Sequence, residues 1–159
     1  MSMLTGNTLF VPLIVPKADV FASASTSDVF KMTNHNHATM YVHCGASSAD
    51  ADVTITVQEQ TSSTQAGAVD IGFNYRTRAT GDTWGALTAA TTAGVDPSTA
   101  TLGGWTVAIE LDADELSDGS NWVSLTVTES TDSVAIVGGA FAILSECRYA
   151  EDVIATAIA

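Results

Sequence analysis

A chain of 159 residues and 16.4 kDa is one domain, long enough to bury roughly 70% of its unfolded surface without metal or disulfide staples. Charged residues are 14% of the chain, and 18 acids against 5 Lys and Arg leave a net charge of −13; no basic face is available for nucleic acid or an anionic membrane surface. Ala (24), Thr (22) and Ser (15) exceed a third of the residues, a composition suited to thin β structure rather than to a helix bundle.

In chain order, residues 8–14 form the first predicted strand. Pro12 lies inside it and no basic segment precedes it, so neither a membrane span nor a signal peptide is expected. Residues 28–32 give a second, short strand. Ala38, Met40, Val42 and Cys44 then alternate with Thr39, Tyr41 and His43. The same period of two runs through Val53, Ile55 and Val57, then through Ile71, Phe73 and Tyr75. It returns in Trp105, Val107, Ile109 and Leu111, and in Val123, Leu125 and Val127. Alternation of this kind places one face in a core and the other in a polar environment. Residues 134–144 are apolar on both faces and carry Gly138-Gly139. Such a strand is central or meets another chain, and the glycine pair predicts a bulge, a bend or a close backbone approach. About eight antiparallel strands result, an all-β two-sheet sandwich with a jelly roll as the leading topology. The only helical signal is one turn at 112–116, with Asp112 as its N-cap.

Residues 89–104 read as a long loop, and loops of that length are usually functional or mobile. The expected organisation is an N-terminal arm with the first strand (1–26), a sandwich domain (27–146) and an apolar C-terminal arm (147–159). Both arms are expected to reach neighbouring subunits. Cys44 and Cys147 do not make a disulfide scaffold; small buried apolar roles fit them, and whether they pair stays open.

No motif for a nucleophile, a phosphate loop, a dinucleotide or a metalloprotease occurs, so no catalytic, cofactor or metal residue is expected. His35, His37 and His43 share a parity, but an outward polar face explains them better than a metal does. Asp112, Asp114, Glu115 and Asp118 fail the EF-hand spacing, because Leu116 and Val123 stand where acids belong. Asp70, Glu110 and Glu129 are carboxylates that nothing places on one cleft. Trp105 has core parity. Trp84 and Trp122 read as exposed, and exposed tryptophans mark interfaces.

Three stretches belong together. Lys31-Met32-Thr33-Asn34-His35-Asn36-His37-Ala38-Thr39 enters a strand. Residues 105–116 are followed by Trp122-Val123-Ser124-Leu125-Thr126-Val127-Thr128. Arg148-Tyr149-Ala150-Glu151-Asp152 leads to the C-terminal Thr156-Ala157-Ile158. The set resembles small structural proteins of tailed bacteriophages, of the capsid decoration (cement) type. The resemblance implies a non-enzymatic virion protein on the outer head surface that clamps neighbouring capsomers. Its partners would be the major capsid protein and its own copies, as a homotrimer. Other virion roles (head fibre, neck or tail) and a carbohydrate-binding sandwich for host attachment are the alternatives. The contact residues expected from the residues themselves are Phe10, Val11 and Leu13 in the first arm and Arg148, Tyr149, Ile154 and Ile158 in the second, with Trp84 and Trp122 between. Arg148, one of five cations, is expected to meet a carboxylate.

Overall fold

A computed structural model describes residues 8–46, 53–78, 81–97, 104–129, 135–148 and 157–158. These form an all-β module of two antiparallel sheets. The six-stranded sheet is ordered β1 (Leu9–Lys17), β11 (Gly138–Cys147), β4 (His35–Cys44), β9 (Trp105–Asp112), β7 (Phe73–Arg78) and β8 (Thr88–Ala90). The second is ordered β2 (Ser25–Thr26), β10 (Trp122–Glu129), β5 (Val53–Gln60) and β6 (Val69–Ile71), and β3 (Phe30–Lys31) also pairs with β10. Early strands meet late ones in nested order: β1 with β11, β2 with β10, β4 with β9, and β5 with β6.

The alternating sequence pattern builds the core. Met40, Val42, Val107, Ile109 and Leu111 from one sheet and Val53, Ile55, Val57, Val123, Leu125 and Val127 from the other are fully buried, in one continuous apolar cluster. Each such side chain contributes roughly 1.5–3 kcal/mol by leaving water. The residues between them point away, and that is what leaves the outer faces available.

The predicted run through Ile71, Phe73 and Tyr75 is not one strand. Ile71 pairs with Val57 in the second sheet, whereas Phe73 pairs with Ala90 in the first. The chain changes sheet at Gly72, where a Cβ would stand 3.0 Å from the Ala90 carbonyl oxygen. Nor is 89–104 loop throughout. Its start belongs to β8, and Val95 exchanges two 2.9 Å backbone hydrogen bonds with Ile55. Gly94 makes this approach possible: its φ is +82°, and a Cβ there would lie 2.4 Å from the Ile55 carbonyl oxygen. Residues 98–103 lie outside the described residues.

Gly138 and Gly139 do mark a close approach. The β1–β11 register slips between Pro12 and Ile14 and again between Ile14 and Lys17, so Val15 and Pro16 bulge opposite Gly139. A Cβ on Gly139 would be 3.0 Å from the Ile14 carbonyl oxygen. The helical turn is a 3₁₀ turn, Ala113–Glu115, with Asp112 at its N-cap. The Asp112 amide donates to Glu115 Oε2 at 2.9 Å.

Both described ends lie on their own module. Residues 9–17 are the edge strand of the larger sheet, and their alternation sends Val11 and Leu13 into the core, 1% and 4% exposed. These two were expected as contact residues; they are packing residues instead. Near the C-terminus the Lys31 amide donates to the Ala157 carbonyl at 2.9 Å, Ile158 bridges to Phe30, and Ala157 is buried.

Candidate interaction surface

The outer face of the six-stranded sheet is built from the residues that alternate with the core. Pairing puts them in rows across the strands. One row runs Pro12, Phe141, Tyr41, Ala108, Arg76. The next runs Phe10, Ile143, Thr39, Glu110, Asn74. A third runs Gly139, His43, Thr106, Arg78. Ala108 faces outward yet is only 4% exposed. The 81–87 segment accounts for this by folding back here: Arg76 Nη1 donates to the Gly85 carbonyl at 3.3 Å, and Trp84 packs on Tyr41.

Four aromatic rings form a ridge along these rows. Phe10 and Phe141 stack at 5.9 Å with planes 18° apart, and Phe141 and Tyr41 at 5.1 Å and 21°. Trp84 meets Tyr41 at 6.3 Å with a 58° tilt. Phe141 is thus stacked against Phe10 on one neighbouring strand and Tyr41 on the other. Phe10 remains 50% and Trp84 38% exposed. Beside the ridge the β1 bulge opens an apolar groove of 560 Å³, lined by Pro12, Val15, Pro16, Val137, Gly139 and Phe141, with His43 at one side. Val15 and Val137 are exposed. Exposed apolar patches of this kind mark interaction sites.

The polar half of the face is held in place. His37 Nδ1 lies 2.6 Å from Asp112 Oδ1 and Nε2 lies 2.8 Å from Glu110 Oε2. Thr39 Oγ1 adds a 2.9 Å hydrogen bond to the same Glu110 oxygen. An ionised carboxylate only accepts, so only the protonated, cationic imidazole donates to both at once. Partial burial alone would lower the His37 pKa, but hydrogen bonds to Asp112 and Glu110 and their charges outweigh it and raise it above the usual histidine value. Burial, helped by the Glu110 charge, raises the Tyr41 hydroxyl as well. Arg78 Nη2 donates to Thr106 Oγ1 at 3.3 Å and Nη1 to the Gly81 carbonyl. Among the described residues neither Arg76 nor Arg78 has a carboxylate partner.

Of the expected contact residues, this face gathers Phe10 and Trp84 and leaves out the others. Trp122 belongs to the second sheet, half-buried, with the Lys31 ammonium 5.4 Å from its ring centroid. Among the described residues Arg148 meets no carboxylate in a hydrogen bond. Its Nε donates to Asn36 Oδ1 at 2.6 Å, in a cleft that Asp112, Asp114 and Glu146 share. Ile158 is on the β3 side, and Tyr149 and Ile154 lie outside the described residues. The three histidines do not share one exposed face, since His35 is buried. Among the described residues no group of three or more His, Cys, Asp or Glu side chains could hold a metal ion. Cys44 and Cys147 do not pair with each other, lying at opposite ends of the β4–β11 pair, and burial pushes the Cys44 thiol up to about 12.

Sequence reasoning missed Tyr41, Phe141 and the Arg76–Arg78 pair as members of one surface. The available signal was parity: each alternates with residues bound for the core. No family model, curated protein or solved structure matches the chain.

Proposed function

We propose that this chain is a non-enzymatic structural protein of a phage virion, a jelly-roll capsid decoration protein that docks on protein neighbours at the outer head surface. The nested strand pairing supports the jelly roll, since that topology is a long antiparallel hairpin wound over itself into two sheets. One observation carries the functional reading: the stacked aromatic ridge beside an apolar groove on a rigid sheet face. A binding surface of this kind needs no catalytic group. The one histidine clamped between carboxylates has no free lone pair with which to act as a base.

Ring orientation favours a protein partner over the carbohydrate alternative. Sugars stack on open aromatic faces, whereas the faces of Phe141 and Tyr41 are spent on each other. Ring edges and aliphatic grooves suit a protein surface. The major capsid protein and further copies of the chain are the proposed partners. Purified chain mixed with heads stripped of it should co-sediment in a saturable way, and labelled protein should be imaged over the shell. Protein left in the supernatant, or label confined to neck or tail, would overturn the decoration role.

A further inference from the structure

We infer that the ridge-and-groove face pairs with the same face of a second copy about a twofold axis. The inference rests on reading that face as a protein-contact surface and names its occupant. Three observations carry it.

First, ridge and groove lie side by side on one surface and share Phe141. A twofold contact needs a patch that is its own complement, residue i meeting j and j meeting i. Rotating the face by half a turn brings the ridge of each copy over the groove of the other. Second, the size fits. Six strands at ~4.8 Å spacing and up to ten residues at ~3.3 Å each give a face of roughly 24 by 33 Å, about the 800 Å² that each partner of a stable pair covers. The strand count and lengths are those of the larger sheet. Third, the charge fits. Copies with a net charge of −13 repel each other in general. On this face His37 offsets one of the two charges of Glu110 and Asp112, and Arg76 and Arg78 add positive charge without a carboxylate partner among the described residues. The charges of this face therefore come close to balancing, and like-charged copies can approach each other here.

The contact also separates the exposed apolar residues into two groups. Phe10, Val15, Trp84 and Val137 belong to the ridge or the groove, whereas Leu87, 49% exposed, lies just before β8 and Val69, 58% exposed, is on β6 of the other sheet. Sedimentation equilibrium of the full chain tests the pairing. Wild type should give the mass of two copies. Val15→Asp with Val137→Asp should raise the dissociation constant at least 100-fold, and Phe10→Ser at least tenfold. Both should keep the wild-type far-ultraviolet spectrum, because the replaced side chains lie outside the core. Val69→Asp, the control, should pair like wild type. A wild-type mass of one copy up to millimolar concentration, a mass of three, or undiminished pairing in both groove and ridge variants would overturn the inference. Co-sedimentation with heads is read separately. A single copy that still binds heads leaves the decoration reading standing, and a pair that ignores heads leaves only the pairing.

Discussion

His37 joins two carboxylates of the neighbouring strand through both ring nitrogens, and this fixes the sign of a pH effect. Its pKa in the folded chain lies above the ordinary value. Its contribution to stability is therefore fully present below about pH 6.5, the unfolded value, and is lost as pH rises through the folded value. Solvent reaches the group, so each pair is worth about 1 kcal/mol or less. In His37→Gln the loss of melting temperature relative to wild type should be greatest at pH 6, about 2–4 °C, and should shrink by pH 9. Melts at the two pH values check it, and an equal loss at both would refute it. Composition could not show this clasp. Residues 37, 110 and 112 are far apart in the chain, and only the β4–β9 register brings them together.

At the scale of the strands, β1 shows how an edge is kept from recruiting foreign chains. A free edge offers unpaired donors and acceptors. Here Pro12 and Pro16 are exposed on the edge strand, two register slips bend it, and Lys17 ends it. Proline is tolerated at an edge because its missing donor faces solvent. Replacing both with Thr restores a continuous edge; P12T/P16T should form thioflavin-binding aggregates faster than wild type at 37 °C, and unchanged kinetics would count against this. The strands differ in how plainly the sequence announced them. β4, β5, β9 and β10 each send their large apolar side chains to one face, so alternation suffices to place them. β6 and β7 share a parity through Gly72 while belonging to different sheets, and no periodic pattern records a change of sheet. Phe141 was hidden for a related reason. On a segment apolar on both faces, pattern alone does not say which side is core, and the pairing with β1 and β4 decides it. Val11 and Leu13 were misread because an apolar run near a chain end looks alike whether it reaches outward or closes its own sheet.

For the whole molecule, charge and pairing are linked. A net charge of −13 acts between copies over ~10 Å at 0.1 M salt and only ~3 Å at 1 M. An apolar contact opposed by that repulsion should tighten as salt is raised. The dissociation constant measured by sedimentation should fall between 0.1 and 1 M sodium chloride, and a rise would mean that ion pairs rather than apolar burial hold the copies together. The nested strand order also bears on how the molecule is made. Its innermost pair, β5 with β6, is joined by a short connection, whereas its outermost pair joins residues near position 10 to residues near position 143. Contacts so distant along the chain form slowly. During synthesis the first strand leaves the ribosome long before its partner exists. Val11, Leu13 and Ile14 must wait, unsheltered, until translation has delivered the strand that covers them, so the shell of the module closes only after its last strand, β11, has been made.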